Sequence, residues 1–435
     1  MYRSPIIVSD ALPFCKYFSA PFRHQNPRRS NWRDSLKNGK SVSDIRYSNR
    51  ALLLERLYTG GAASRKHLSE LCGLTAASVT QLSSQLISEG VLEETGKMPP
   101  QGRTGRSEQL LDINRSGLYV VGVNVTEHGI ELKLSDLKLQ LIKSAWLPMN
   151  ADAFTSGELC AAISSLIKGL ESKTVGVGIS IRGSVDPLRG VSLDSYGLLP
   201  KDFALAEPLG KHLRLPVSVD SSVRAMLTAH ELSDPFFAEG VVLFIEYGPG
   251  IGGALLENGS HFLGARFNAC NVGHICVQEG GAPCVCGRRG CLETILSFEA
   301  IESAAKACFS EKETPLLYAL CEGSLEKLTA AAVYESFSRG DEGVAKLLEK
   351  PLGAFSAAIA ECEALFDPDL VILCSEFFEY HQLCGYLEKE ISARVGNLKP
   401  YLRFITGRGE LAAKSAAAVA IRAFIKSGAA SSGKE

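Results

Sequence analysis

The segment GHICVQEGGAPCVCGRRGCLE, residues 273–293, restricts the fold more than any other part of this 435-residue chain. Within 18 residues it sets one imidazole, His274, and three thiols, Cys284, Cys286 and Cys291, on a glycine-rich backbone. Zn2+ takes a tetrahedral set of nitrogen and sulfur ligands, and a closed shell of four leaves no position for a reactive water. The pattern therefore predicts one structural Zn2+ per chain, which organises and does not catalyse. Gly280, Gly281, Gly287 and Gly290 permit the tight turns that aim several ligands at one point. The alternative is a chance grouping of reduced thiols. The chain holds 13 cysteines, an odd number spread mostly through apolar segments, which suits free thiols in a cytoplasmic protein better than a disulfide framework.

Charge divides the chain in two. Residues 1–113 carry 16 Lys/Arg against 10 Asp/Glu, a net of +6, which leaves −8 for the rest of a chain whose total is −2. A basic front and an acidic body imply that only the front faces a polyanion. No stretch approaches 18 apolar residues, so no membrane insertion is expected. Pro5, Asp10 and Pro13 interrupt the start too often for a signal-peptide core. Residues 1–42 are read as a flexible extension and 428–435 as a disordered tail.

Residues 43–113 show three helical patterns and then a hairpin. Leu52, Leu53 and Leu57 form one apolar face. Ser64 is placed to cap a second helix ending near Cys72-Gly73, and Thr75 a third carrying Val79, Leu82 and Leu86. The short turn CGLT joins the last two, as in a helix-turn-helix. The runs VLEET and SEQLLDI then bracket GKMPPQGRTGR, a loop with Lys97, Arg103 and Arg106 that reads as a wing able to follow phosphates or enter a minor groove. The third helix would offer Thr75, Ser78, Thr80, Gln81, Ser84 and Gln85 to a major groove. It has no Lys or Arg, so backbone affinity falls to the wing and flanks. A small protein-interaction module is the alternative.

From Leu118 the period changes. LYVVGVNV, GIELKLSD and LQLIKSAWLP are short β runs, and a helix and the buried strand TVGVGISI follow. A second set comprises LPVSVD, the helix SVRAMLTAHEL, GVVLFIEYGPGIGGALLENG and, after the cysteine segment, long helices around DLVILCS. Two α/β lobes with a cleft between them are expected over residues 117–427.

The order of these parts, and above all GPGIGGALLENG followed by GHICVQEGGAPCVCGRRGCLETILS, resembles the ROK family of sugar-responsive repressors and sugar kinases, from about residue 43 to about 427. The resemblance implies an actin-like, ribonuclease-H-like pair of lobes behind a winged helix-turn-helix, a homodimer or homotetramer, and a sugar or sugar phosphate in the cleft. It also implies that His274 both ligates zinc and lies beside the sugar, and that Glu293 accepts hydroxyl hydrogen bonds. Asn271 stands where the family has a sugar-binding glutamate, Ser221 where it has an asparagine, and Tyr196 near the place of another asparagine.

Three parts that family kinases need are replaced. In GVNVTEHG, Asn124 and Thr126-Glu127-His128 stand where the kinases carry a D-x-G-G-T phosphate loop. Their side chains bar a phosphate from the backbone amides, and Glu127 repels it. In DSSVRA, Ser222 takes the place of the general base, and an unassisted hydroxyl is a poor base at neutral pH. Cys374-Ser375 replaces a glycine pair near the adenosine, while GPGIGG at 248–253 survives. Phosphoryl transfer depends on positioning and charge compensation, so negligible activity is expected. The sequence reading is a DNA operator-binding repressor of carbohydrate genes, with no catalytic residues and with Ser221, Ser222, Asn271, His274 and Glu293 lining a sugar pocket. Its rivals are a sugar kinase with an unusual active site and a regulator controlled by a protein partner.

Overall fold

In the computed structural model, which describes residues 7–8, 41–98, 107–148, 155–232, 240–396 and 401–430, the chain divides into two units at Ile113/Asn114 and at Ala423/Phe424. The expected extension 1–42 contains a two-residue strand, β1 (Ile7–Val8), and its last residue opens the first helix.

The front unit begins with α1 (Val42–Gly60). Ser41 caps it in a reciprocal box: its hydroxyl accepts from the Asp44 amide at 3.1 Å, and the Asp44 carboxylate accepts from the Ser41 amide at 2.9 Å. The buried face is Arg50, Leu53, Leu54 and Leu57. Leu54 takes the place expected of Leu52, because positions 50, 53, 54 and 57 fall on one side of a 3.6-residue helix. Buried Arg50 is ion-paired to Glu89. After β2 (Ala63–Ser64), α2 (Arg65–Cys72) is capped by Ser64 and closed by Gly73 in the left-handed region. Thr75 caps α3 (Ala76–Ser88). The strands β3 (Leu92–Met98) and β4 (Glu108–Ile113) complete an antiparallel sheet of order β2-β4-β3.

The body holds two mixed sheets. The first has β5 (Tyr119–Val125), β6 (Ile130–Asp136), β7 (Leu141–Leu147), β8 (Thr174–Ile181) and β12 (Val217–Ser221), in order β12-β8-β5-β6-β7, with α4 (Ser156–Leu166) between β7 and β8. A small sheet of β9 (Ser184–Asp186), β10 (Val191–Asp194) and β11 (Phe203–Ala204) leads into α5 (Ala206–Leu213). After α6 (Ser222–Glu231) the second sheet is built from β13 (Val241–Tyr247), β14 (Ile251–Glu257), β15 (Ser260–His261), β16 (Leu370–Cys374) and β17 (Tyr401–Ile405), in order β1-β17-β16-β13-β14-β15.

Around this sheet lie α7 (Glu293–Leu296), α8 (Phe298–Cys308), α9 (Pro315–Leu320), α10 (Ala330–Ser338), α11 (Glu342–Phe366), α12 (His381–Val395) and α13 (Arg408–Lys426). β13 shows why both faces need cover. Val241, Leu243, Ile245 and Tyr247 enter one core cluster and Val242 and Phe244 another, so the period-2 alternation separates two apolar sets. No helix among the described residues is long and apolar enough to cross a membrane.

One contact governs the first sheet. The alanine-rich part of α13 lies on β5 and β8, where Gly122 and Gly178 supply the room. A Cβ at Gly178 would come 2.0 Å from the Ala416 carbonyl oxygen and 2.7 Å from the Ala420 amide, both rigid backbone. Gly178→Ala is expected to lower the first thermal transition, at a cost of roughly 1–3 kcal/mol or more for forced overpacking. Gly176→Ala, whose Cβ would meet its nearest heavy atom at 3.5 Å, should be close to neutral. Equal melting curves for the two variants would contradict this account of the packing.

Candidate metal centre and ligand cleft

The cysteine segment folds as a small hairpin. The Cys284 amide donates to the Arg288 carbonyl at 2.8 Å and the Gly287 amide to the Cys284 carbonyl at 2.9 Å, so Cys284 and Cys286 stand on a tight turn. Cys291 pairs in antiparallel fashion with Cys276 at its base. Gly290 has φ +70° and no room for a Cβ, which would lie 1.7 Å from the Gln278 carbonyl oxygen. His274 enters from a 3-10 turn, Val272–His274, whose Gly273 sits against the Ile251 carbonyl.

These turns bring ligand atoms of His274, Cys284, Cys286 and Cys291 within 4.8 Å of one another. The Cys286 and Cys291 sulfurs are 3.7 Å apart, and Cys284 Sγ is 3.4 Å from His274 Nδ1. In a tetrahedral shell with metal–sulfur bonds of about 2.3 Å and metal–nitrogen bonds of about 2.0 Å, the edges are roughly 3.8 and 3.5 Å. The cluster therefore has the size and donor set to hold a metal ion. Burial lowers the His274 pKa, which favours the neutral imidazole that ligates. Burial pushes the Cys286 thiol up, but hydrogen bonds from the side chain and backbone of Arg288, with those to Cys284 and Cys291, outweigh it and bring the pKa to about 7. Cys291, fully buried, is pushed up to about 12. The Cys276 thiol donates instead to the Arg289 carbonyl at 3.6 Å and stands outside the cluster.

The other face of His274 meets the first lobe. Its Nε2 is 3.1 Å from the Tyr196 hydroxyl, with the two rings edge to face at 80°. Asn271 Nδ2 donates to the same hydroxyl at 3.4 Å and to Asn268 Oδ1 at 3.0 Å. Burial raises the Tyr196 phenol above its usual pKa. Glu293 opens α7, and its Oε2 accepts from the Ile251 amide at 3.0 Å. Ser221 and Ser222 form the β12–α6 junction, where Asp220 holds Arg224 at 2.5 Å. Arg224 also donates to the carbonyls of Val185 and Phe267. The sequence reading overlooked this Asp220–Arg224 pair, whose members are four residues apart but whose carbonyl partners Val185 and Phe267 lie 39 and 43 residues from Arg224.

The segments expected to differ from a kinase are tied up internally. Thr126 and Gly129 exchange amide bonds at 3.0 and 3.3 Å, which closes the β5–β6 turn, and Glu127 faces Arg182 at 3.5 Å. Asn124 Oδ1 accepts from Ser415 on α13 at 3.2 Å. Ser375 caps the turn after β16. The surviving GPGIGG glycines have packing duties. A Cβ at Gly253 would meet the Cys270 carbonyl at 2.2 Å, and one at Gly250 would meet Glu293 Oε2 at 2.8 Å. Arg408 lies beside Gly248, bound to Glu246 at 2.9 Å and to Glu376 at 2.6 Å.

In the front unit Thr75, Thr80, Gln81 and Ser84 are exposed on α3 and Ser78 is half-buried. Thr80 donates to the Ala76 carbonyl at 2.8 Å, and Gln85 accepts from Arg46 at 2.7 Å, so these two side chains are already engaged. Lys97 lies on β3 opposite Gln109, whereas Arg103 and Arg106 lie outside the described residues.

The ROK family profile matches residues 120–414. The N-acetylglucosamine repressor of Escherichia coli O6:H1 is 24% identical over 345 residues, covering 78% of this chain and 83% of its own. Among solved structures, a ROK family transcriptional regulator described as a homologue of the Escherichia coli MLC protein superposes with a TM-score of 0.74, at 21% identity over 88% of this chain and 98% of its own. A ROK family glucokinase from Streptomyces griseus, solved with glucose and AMPPNP, reaches 0.57, also at 21% identity, over 69% of this chain and 99% of its own.

The purified protein is expected to carry about one tightly held thiophilic divalent ion per chain, and Cys286→Ser to lose it along with solubility. Elemental analysis of the native protein that finds no such ion would refute the assignment.

Proposed function

Because the chain belongs to the ROK family, we propose that it is a DNA-binding repressor of carbohydrate-related genes whose body senses a sugar and transfers no phosphate. The observation that carries this reading is the extent of the likeness to the repressor. It runs over more residues than the whole chain after Ile113 contains, so it includes part of the front unit. The glucokinase likeness is confined to 69% of the chain.

On this reading residues 43–113 are a winged helix-turn-helix and 117–427 the sensing body. Thr75, Ser78, Thr80, Gln81 and Gln85 face the operator, and Arg103 and Arg106 on the wing hold its phosphates. A homodimer or homotetramer would present recognition helices about 34–36 Å apart, or multiples of that. Zn2+ is the ion that suits one imidazole and three thiolates, and with four protein ligands its role is structural. It would hold the His274 ring so that Nε2 faces the cleft, where Asn271, Glu293, Ser221 and Ser222 complete the sugar site. A sugar that fits one lobe arrangement better than the other shifts the population of the two, and with it operator affinity. A cytoplasmic location goes with this role.

Loss of catalysis follows from the closed turn at Thr126–Gly129, the Glu127 carboxylate on it, and a serine where a base is needed. Arg408, the cation beside Gly248, is already balanced by Glu246 and Glu376.

Two measurements test the proposal. In gel shifts on the protein's own upstream DNA, affinity should fall steeply with salt. Replacing both Arg103 and Arg106 by alanine should flatten the log–log slope by about 1 to 2 for each protomer on the DNA, at roughly 0.9 per phosphate contact. An unaltered slope would remove the wing assignment. In a coupled nucleotide assay with D-glucose, D-xylose and N-acetyl-D-glucosamine, no turnover above the protein-free rate is expected. Turnover that disappears in Glu293→Ala would establish a kinase instead.

A further inference from the structure

We propose that Tyr196 determines which ligands the cleft admits: its phenol already occupies the hydrogen-bonding position between His274 and Asn271 that a ligand hydroxyl would take. The inference rests on the sugar-sensing reading and adds to it what an effector must displace.

The geometry is that of a built contact. Tyr196 belongs to the loop after β10 in the first lobe, while Asn271 and His274 come from the second. Its hydroxyl lies 3.1 Å from His274 Nε2 and 3.4 Å from Asn271 Nδ2. An asparagine amide nitrogen has two hydrogens and an imidazole Nε2 at most one. Both Asn271 hydrogens are committed, one to Tyr196 and one to Asn268 Oδ1, and the Nε2 position of His274 is committed to Tyr196. Asn268 in turn accepts from the Ser184 hydroxyl on β9 at 3.2 Å, so a chain of polar contacts runs between the lobes. A ligand reaches His274 Nε2 and Asn271 Nδ2 only by replacing the phenol oxygen with one of its own.

The backbone at Tyr196 supports a dedicated role. Its φ is +53°, in the left-handed region that side chains other than glycine and asparagine rarely adopt. Such conformations persist where surrounding bonds over-determine them, often at ligand sites. Here the Tyr196 amide donates to Asp194 Oδ1 at 2.9 Å, and Arg182 donates to the carbonyls of Ser195 and Tyr196 at 3.3 and 3.2 Å. Leu199 closes the loop onto the Ser195 hydroxyl at 2.8 Å.

The ligand class follows from the exchange. The entering molecule must offer an oxygen that accepts from Asn271 Nδ2 and pairs with His274 Nε2 in either sense, as a hydroxyl of a polyol or monosaccharide does. Since it replaces contacts already made, the native protein binds such molecules weakly and selectively.

The test compares the full-length protein with Tyr196→Phe, which removes only the hydroxyl, and Tyr196→Ala, which opens the position. Hydrogen–deuterium exchange without sugar reads the contact. Calorimetry with D-glucose, D-xylose and N-acetyl-D-glucosamine reads admission. Expected are faster exchange over residues 194–199 and 268–275 in both variants, and for at least one sugar a gain of about tenfold in affinity, the scale of one hydrogen bond. Unchanged exchange in Tyr196→Phe overturns the proposal whatever the sugars do. So does faster exchange accompanied by equal sugar affinity in all three proteins. Faster exchange with no sugar bound by any of the three leaves the tyrosine contact established and refutes the sugar-sensing reading.

Discussion

His274 is shared by two networks, and the site depends on that sharing. Nδ1 lies among the thiols, 3.4 Å from Cys284 Sγ, and Nε2 lies 3.1 Å from the Tyr196 hydroxyl. The ring has two nitrogens in a fixed relation, so whatever orients one aims the other. The cysteine hairpin thereby acts on the cleft without contributing an atom to it. The backbone around the ring is equally constrained, because Gly273 fits against the Ile251 carbonyl only for want of a Cβ.

The same economy marks the segments whose sequence departs from the family's kinases. Their polar groups find partners within the chain. Asn124 is bonded to Ser415, Thr126 and Gly129 to each other, and Asp220 to Arg224. A buried polar group without a partner costs free energy, so bonds of this kind stabilise the fold. Tyr196 between Asn271 and His274 fits that pattern.

Much of the architecture was legible in the sequence. The caps at Ser64 and Thr75 and the strand runs of both sheets rest on local rules of period and turn chemistry. The α1 face was off by one position at Leu52, since three leucines in a row carry no phase and the phase came from Arg50, whose partner Glu89 lies on another element. The duty of GPGIGG was not legible, because glycines that approach a ligand and glycines that approach a neighbouring loop are alike in sequence. The structure places Gly253 against Cys270 and Gly250 against Glu293.

The cysteine spacing by itself determined that four ligands lie on a short, turn-rich segment, because ligands so close in the chain have few ways to be far apart in space. Periodicity by itself determined two sheet-centred lobes, since each pattern repeats within one element. Only the tertiary structure decided that Tyr196, 78 residues before His274, reaches across to it, and that Arg408 joins Glu246 to Glu376. Such pairs form where strand order and helix packing bring distant segments together, and no local pattern of side chains encodes that meeting.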